Sequence, residues 1–499
     1  MFNIDEASGT LDDPLVYDLI CSGKLKGCFQ AESHLVQSTA KKILPRDPES
    51  LALLISIVRP GCYDQLPDYL AVRNGEKEMA FSDERLRDIL SETGGIILYQ
   101  EQLIRIGERI CSFTESESDS KLRKPVGKKQ MDVLKKVGPE FISRAVDGGM
   151  EKEAATTLWD IIVKSGDYQF CRSHGFSYMI NMYQSAYLKV FYKTQFYWAN
   201  LMCSNFKQDQ QKEIQELAID MKDFGVKLNL PKLSSMTEEF EIIEENEIVF
   251  GIKYIKGMGS LGYKQLLKIK HCKTWREVLI SIVELKVAKN RLEPAICSGV
   301  LDELNVSRTR MLGEHNFIHS LSIGQRRDFI ALYKSDETLS FKEIINKIFA
   351  DNKRFKLSEE TEKCLNILDR KLEDSNLAKD MWERKFLGVN LSCSRIDMYS
   401  DKNVNSDCAM VNKAKYGQFM FIGLLESCNK VKTHEKKLDM AFIKASDSSG
   451  VLDSMVVFPD VFAKAYYKDN ILRRVGNEVL LVNGYKKEDS FIVTKLKEL

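Results

Sequence analysis

The sequence predicts a multidomain, mainly α-helical protein that ends in a small β-barrel. At 499 residues with 44% hydrophobic content, the chain is long enough for several domains with cores of their own. Before residue 390, successive segments have capped starts, amphipathic spacing or highly charged faces. These features are typical of helices. Short apolar strands separated by turn residues follow from residue 419 onward.

The helical part is marked by its starts and stops. The sequence LDDP at residues 11–14 is a cap-like start for a first helix. The sequence RPG at residues 59–61 is a turn that ends an apolar segment. Residues 242–253 alternate in polarity, which predicts a pair of strands with Glu244 and Glu247 at the turn between them.

The predicted barrel is confined to the C-terminal end. Turn signals such as DSSG at residues 447–450 separate its strands. The predicted strands are residues 419–425, 440–445, 452–458, 478–484 and 491–495. About five short strands within roughly eighty residues favour a small Greek-key barrel of the oligonucleotide-binding (OB) kind.

Composition limits the classes of protein that fit. The net charge is only +1, so any nucleic-acid contact must come from local basic clusters. The twelve cysteines include no CxxC pair, which fits neither a zinc site nor a disulfide framework and indicates a reduced, intracellular protein. The most apolar run, residues 51–58, is too short to span a bilayer, and no signal segment is found. We therefore expect a cytoplasmic protein with no membrane partner.

Residues 168–192 combine polar groups with a long aromatic and aliphatic run. Helical spacing aligns four of these side chains on one face: Arg172, Phe176, Met179 and Tyr183. Ser173 and His174 add two polar donors at the start of that helix. A cation and polar donors ahead of aromatics suit a site for a phosphate and a flat base. The alternative is a buried amphipathic helix whose Arg and His are solvated.

The stretch before this helix is strongly basic. Residues 121–136 read KLRKPVGKKQMDVLKK, with seven cations and one acid. Lys128 and Lys129 directly follow Gly127, so backbone N–H groups and two ammonium groups could converge on a phosphate. The alternative is a solvated charged surface.

A glycine-rich turn follows in the middle of the chain. It consists of Lys256, Gly257, Met258 and Gly259, after a hydrophobic residue. Such a turn between two helices is how a helix-hairpin-helix motif holds a DNA backbone, because the glycines permit close approach. A hairpin without a ligand is the alternative.

These segments, taken in order, resemble the bacterial replicative DNA polymerase III alpha subunits, the C-family polymerases. The matching blocks are residues 28–33, 58–61, 98–102, 122–129, 168–188, 255–259, 383–392 and 447–458. The resemblance implies a fingers-like helical domain at 1–225. It also implies a helix-hairpin-helix and clamp-binding-like region with a helical spacer at 226–390, and a single-strand-binding OB barrel at 391–499.

The resemblance also implies roles for individual residues. Arg172, with the cations of the basic stretch, would contact the triphosphate of an incoming deoxynucleoside triphosphate (dNTP). Ser173 and His174 would add hydrogen bonds, and Tyr178 would pack near the base pair. The cations of the basic stretch concerned are Arg123, Lys124, Lys128 and Lys129.

The sequence departs from the family most clearly in what precedes the fingers. The family's catalytic carboxylates lie in a palm domain, and this chain begins after the position where the palm would end. Two-metal phosphoryl transfer needs such carboxylates, and acids such as Asp160 and Asp167 have no second acid beside them to share a metal. Mg²⁺ would then be held by a separate palm-bearing chain. Smaller departures are Pro125-Val126, Cys171-Arg172, Gly175 and the SCS sequence at residues 392–394.

Several functions follow from this comparison. The first is one part of a split DNA polymerase that binds primer-template DNA and is inactive alone. The second is a non-catalytic protein, derived from a polymerase, that binds DNA and a sliding clamp. A helical scaffold with a barrel is a third interpretation. Retention of the whole set of finger blocks favours the first.

A clamp-binding peptide is expected after the glycine-rich turn. Gln325 and Phe329 have the spacing of such a peptide, whereas Asp328 does not suit its aliphatic position. The alternative is an ordinary amphipathic helix with Phe329 in the core. An anchoring Phe329 would be exposed in the free protein, and a core Phe329 would be buried.

Overall fold

Helices make up most of the computed structural model. It describes residues 3–59, 61–79, 81–166, 169–350, 359–368, 370, 372–433, 436–447, 449–476, 478–488 and 490–499. Pro60, Asp167, Tyr168 and Ser448, which the sequence analysis names, lie outside these ranges. The chain divides into two units, Met1–Phe196 and Tyr197–Leu499, whereas the predicted first domain ends at residue 225. The assignment of three functional domains stays a prediction.

The first unit is helical in the residues described, with short 3₁₀ turns between helices. Its helices are α1 (Ile4–Ser8), α2 (Pro14–Ser22), α3 (His34–Ile43), α4 (Pro48–Ile57), α5 (Leu66–Arg73), α6 (Arg87–Leu90), α7 (Gln100–Cys111), α8 (Glu115–Ser118), α9 (Lys124–Gly127), α10 (Met131–Asp147), α11 (Lys152–Ser165), α12 (Arg172–Phe191) and α13 (Lys193–Met202), the last of which contains the division.

The start of the first unit forms as its sequence indicates. Asp13 caps α2 by accepting a hydrogen bond from the Leu15 N–H, and Pro14 occupies the first helical turn. α12 packs against α2 and against α4, a helix buried on every side. A Cβ atom at Gly175 would lie 2.9 Å from Ser56 Oγ, so α12 packs closely on α4 at this glycine.

The second unit contains further helices and a small three-stranded sheet. Its helices are α14 (Gln210–Asp223), α15 (Gly259–Leu267), α16 (Trp275–Glu284), α17 (Lys289–Cys297), α18 (Arg308–Ser320), α19 (Ile323–Ser335), α20 (Phe341–Ala350), α21 (Glu359–Leu368), α22 (Asn376–Leu387), α23 (Cys408–Lys413) and α24 (Pro459–Phe462). The sheet has the order β1 (Lys227–Asn229), β3 (Glu247–Val249), β2 (Glu241–Glu244). The antiparallel pairing of β2 with β3 confirms the predicted strand pair.

The C-terminal strands form a closed barrel in the order β4-β5-β6-β8-β7. They are β4 (Tyr416–Lys432), β5 (Asp439–Asp447), β6 (Gly450–Val457), β7 (Val479–Lys487) and β8 (Ser490–Glu498). The first part of β4 pairs with β7 and its second part pairs with β5, with a register shift between Leu425 and Ser427. The predicted barrel and its five strands are confirmed, and the fold class is mainly helical with a C-terminal OB-like barrel.

Buried ionic contacts join α22 to its surroundings within the second unit. Glu383 is fully buried and accepts hydrogen bonds from Arg308 Nη2 (2.8 Å), Leu391 N (2.6 Å) and Ser392 N (2.9 Å). Burial opposes the charge of Arg308, but the carboxylates of Asp302 and Glu383 outweigh it and raise the pKa of Arg308. The Glu383 carboxylate therefore binds both the start of α18 and the turn that follows α22.

A second polar contact joins α14 to the barrel. Glu426 in β4 accepts a hydrogen bond from Gln215 Nε2 (2.6 Å) and a short one from Ser446 Oγ. Arg384 of α22 lies 3.5 Å from the same carboxylate. The barrel is therefore anchored to two helices through Glu426.

The prediction that Phe329 is an exposed anchor for a sliding clamp is wrong, because the side chain is buried. Phe329 has 0% exposure, and its ring packs 4.8 Å from Tyr333 and 5.6 Å from Phe341 between centroids. Gln325 is occupied at the start of α19, where it forms a capping box with Ser322. The alternative of an amphipathic helix with Phe329 in the core is confirmed, because α19 must bury its apolar face against α20.

Within the residue ranges given above, no helix is long and apolar enough to cross a bilayer.

Candidate functional site

Two sequence blocks far apart in the chain meet at the start of α12. The Phe170 N–H donates to Leu98 O and the Gln100 N–H donates to Phe170 O, both at 2.9 Å. Gln102 supports this bridge, because its side-chain oxygen accepts from the N–H groups of residues 98 and 99 at 2.8 Å each. The position of Arg172 is thus set by the block at residues 98–102.

A carboxylate already occupies the N-terminal end of α12. Glu101 accepts the Arg172 N–H with both oxygens, at 2.9 and 3.1 Å, and lies 3.6 Å from Cys171 Sγ. A phosphate at this N–H would meet the negative charge of Glu101. The expectation that this helix end itself holds a phosphate is therefore not supported, and an anion must bind side chains nearby.

The Arg172 side chain is held in place and remains partly exposed. Its Nη2 lies 3.1 Å from Glu92 Oε2, and its guanidinium carbon lies 4.8 Å from the centre of the Phe176 ring. Its side chain is 41% exposed, and its Nε has no hydrogen-bond partner among the described residues. The predicted pairing of Arg172 with Phe176 on one helix face is confirmed, and a bound anion can reach the guanidinium.

Aromatic rings continue from Arg172 along the first unit. His174 lies between Phe170 and Tyr178, with ring centroids 5.4 and 4.1 Å away, and Tyr178 lies 5.3 Å from Phe29. The Arg59 guanidinium lies 5.3 Å from the centre of the Phe170 ring. We call these five residues the aromatic surface. His174 and Phe29 are exposed, so part of the surface faces solvent.

Sequence reasoning identified only two members of the aromatic surface, His174 and Tyr178. Phe29 lies in the block at residues 28–33 and Arg59 in the block at 58–61. The presence of these residues in matching blocks could have identified them as members of the site. The Phe29 N–H donates to Ser185 Oγ at 3.0 Å, which fixes the block against α12. Ser173 is exposed, with its Oγ 3.1 Å from Cys171 Sγ.

Two cations of the basic stretch, Arg123 and Lys124, are paired with a carboxylate. Lys124 lies 2.6 Å from Asp119 Oδ2, and Arg123 makes a short contact with the same carboxylate. Hydrogen bonds from Arg123 and Lys124 hold the pKa of Asp119 below its usual range. Residues 119–123 form a widened π-helical turn between α8 and α9, a local irregularity often found at functional sites.

The backbone around Gly127 does not form the expected phosphate cradle. The N–H groups of Lys128, Lys129 and Gln130 donate to the carbonyl groups of residues 124, 126 and 125 at 2.9–3.1 Å. These donors are already used, so that part of the prediction is wrong. Both lysine residues are exposed.

The glycine turn, Lys256 to Gly259, lines an open groove of about 580 Å³ in the second unit. Gly257 and Gly259 have φ values of +86° and +59°, a region that favours glycine. Met258 is buried, whereas its neighbours in the turn are exposed. A three-residue 3₁₀ turn, Ile252–Tyr254, precedes the glycine turn and α15 follows it. A helix-hairpin-helix motif therefore stays a prediction.

In the part of the chain that the structure describes, no group of three or more His, Cys, Asp or Glu side chains is arranged to hold a metal ion.

Comparison with known proteins adds independent information. The family model described as "Bacterial DNA polymerase III alpha subunit finger domain" matches residues 2–149. DNA polymerase III subunit alpha of Treponema pallidum is 25% identical over 100% of this chain and 41% of the relative. The protein of the same name from Halalkalibacterium halodurans is 28% identical over 91% of this chain and 38% of the relative. The Helicobacter pylori protein is 31% identical over 63% of this chain and 27% of the relative.

The chain spans less than half the length of these curated relatives. The finger match covers α1 to α10 and includes Phe29, Arg59 and the basic stretch. The relatives extend the similarity to α12 and the barrel. Residues 2–149 therefore match the finger domain of bacterial DNA polymerase III alpha subunits, and the chain as a whole is similar to those subunits.

Proposed function

We propose that the protein supplies the nucleotide-binding fingers and DNA-binding regions of a split C-family replicative DNA polymerase. The observation that carries this proposal is the placement of a partly exposed Arg172 beside the aromatic surface, within a unit that matches the finger domain over residues 2–149. A cation next to accessible rings suits a ligand with a phosphate chain and a flat base.

In the proposed site, the dNTP triphosphate binds side chains rather than the helix end. Arg172 contacts it from α12, and the exposed residues Lys128 and Lys129 contribute their ammonium groups. Arg123 and Lys124 take part after exchanging Asp119 for phosphate oxygens. Ser173 and His174 donate hydrogen bonds, and Tyr178 packs near the base pair. Preorganised cations of this kind stabilise the charge that develops during phosphoryl transfer.

The palm and its metal ions belong to another chain in this proposal. Carboxylates that hold two Mg²⁺ ions are needed for nucleotidyl transfer, and the described residues offer no such cluster. The partner chain would hold the Mg²⁺ ions, and this chain would bind and orient dNTP and primer-template DNA.

The second unit would bind DNA. The glycine turn would hold the duplex backbone, since its exposed glycines permit close approach. The OB-like barrel would bind single-stranded DNA. No clamp contact is proposed at Gln325 and Phe329, because Phe329 is buried.

Primer extension tests the proposal. We expect no extension by the purified chain with Mg²⁺ and dNTPs, and extension when a palm-bearing chain encoded near it is added. Robust extension by the single chain would contradict the split arrangement. Binding of primer-template DNA with no extension in any mixture would favour the non-catalytic DNA-binding protein instead.

A further inference from the structure

The residues that line the groove fall into two sets, which we call its walls. The turn wall comprises residues 253 and 255–259 with Arg291, and the second wall comprises residues 208–211. We call residues 208–211 the glutamine segment, because three of its four side chains are glutamines. Its acid, Asp209, is engaged as the cap of α14 and accepts the Lys212 N–H at 3.1 Å. Gln208 is exposed, so its amide is accessible from solvent.

Arg291 supports the backbone of the turn wall through hydrogen bonds. Arg291 Nη1 contacts Gly257 O and donates to Met258 O at 2.9 Å. Two carbonyl groups of the turn are therefore neutralised by a guanidinium, which lowers the repulsion that an approaching anion would feel. A Cβ atom at Gly259 would have no described atom within 4 Å, so the backbone there is open to a ligand.

The C-terminal end of α22 contacts both walls. The Lys256 N–H donates to Phe386 O at 2.8 Å, which ties the turn wall to α22. Gly388 follows α22 with a φ of +85°, and a Cβ atom there would lie 2.4 Å from Gln211 O. The glutamine segment thus packs directly on the residue that follows α22. Both walls therefore rest on the same helix end.

We infer that the glutamine segment is a second contact wall for the duplex DNA backbone. The groove is open and far larger than one phosphate group needs, so it fits a continuous phosphodiester chain better than a small anion. Three cations line the groove beside one acid, Asp209. Lys253 is paired with Glu239, so Lys256 and Arg291 supply the positive charge for a phosphate, and glutamine amides are suitable donors to phosphate oxygens. This inference rests on the proposed function of the glycine turn and adds a second contact to it.

Opposite charges introduced at Gln208 test the inference. Gln208→Lys and Gln208→Glu would be compared for binding of a fluorescently labelled DNA duplex across a salt series, with the full chain. We expect Gln208→Lys to tighten binding and Gln208→Glu to weaken it by about three- to fivefold, with the salt slope changing by about 1 in opposite directions. Ser335→Lys and Ser335→Glu, at an exposed position of α19 outside the groove, are matched controls for net charge.

The turn is tested separately with Lys256→Ala. If the Gln208 pair behaves like the Ser335 pair while Lys256→Ala weakens binding, the second wall is refuted and the proposed role of the turn stands. If Lys256→Ala also binds the duplex as the wild type does, the proposed role of the turn fails and the inference fails with it. Thermal unfolding of each variant checks that the exposed substitutions leave the fold intact.

Discussion

Phe329→Ala is expected to damage the core of the second unit rather than a peptide-binding surface. The ring has 0% exposure and contacts the rings of Tyr333 and Phe341 at 4.8 and 5.6 Å. Each aromatic pair contributes about 0.5–1.5 kcal/mol beyond burial. With the cavity that remains, a buried Phe→Ala substitution lowers the free energy of unfolding by about 3–5 kcal/mol.

Hydrogen exchange followed by mass spectrometry is the appropriate assay. The second unit combines helices with a barrel, so a single two-state unfolding curve is not assumed. We expect amide protection to fall in α19 and α20 of the Phe329→Ala variant. Ile323→Ala is the control, because Ile323 is 73% exposed on the same helix and its loss should change stability by less than about 0.5 kcal/mol.

The opposite result would refute this reasoning. If Phe329→Ala keeps wild-type amide protection and abolishes binding to a sliding clamp, the side chain cannot be a core residue in solution. The clamp-peptide interpretation of Gln325 and Phe329 would then be restored.

Four further outcomes are expected. Arg172→Ala should lose about 2–4 kcal/mol of transition-state stabilisation in the reconstituted polymerase, and unchanged kcat/KM would show that Arg172 is misplaced. Gly257→Val should weaken duplex binding with little change in sequence preference, as measured by competition between duplexes, and unchanged affinity would count against the turn. Glu383→Ala removes one of the two carboxylates paired with the buried Arg308 and leaves Asp302. It should lower the free energy of unfolding of the second unit by about 3–5 kcal/mol in chemical denaturation. A neutral effect would show that the pair of Arg308 and Glu383 is dispensable. Burial lowers the pKa of His315 to about 4, so stability should fall as the pH drops from about 6.5 toward 4, because the unfolded chain binds the proton first. His315→Phe should flatten that pH dependence in thermal unfolding, and an unaltered profile would assign it to other groups.

The sequence predicted best where structure depends on local pattern. The barrel strands and the β2–β3 pair follow from alternating polarity and turn residues, which act over a few residues. The position of Glu101 at the start of α12 depends on a contact between residues 71 positions apart, which no local pattern reveals. The backbone donors after Gly127 were mispredicted, because the sequence did not show that they bond to the carbonyl groups of α9 at its C-terminal end.

Phe329 illustrates a different limit. A Gln and a Phe at this spacing fit both a binding peptide and a helix with a buried face, and only the neighbouring α20 decides between them. Phe29 and Arg59 were not predicted as members of the aromatic surface for a similar reason. They belong to separate sequence blocks, and only the fold brings them against Tyr178 and Phe170.

The contact between Gln215 and Glu426 has a consequence for the order of folding. It joins side chains 211 residues apart, whereas all five barrel strands lie within residues 416–498. Closing a long loop carries a larger entropic penalty than pairing strands that lie nearer in the chain. During synthesis, α14 is made well before β4, so Gln215 can bond to Glu426 only after β4 has been made. We expect the barrel to acquire its structure first and its attachment to α14 to be among the last events in the folding of the second unit.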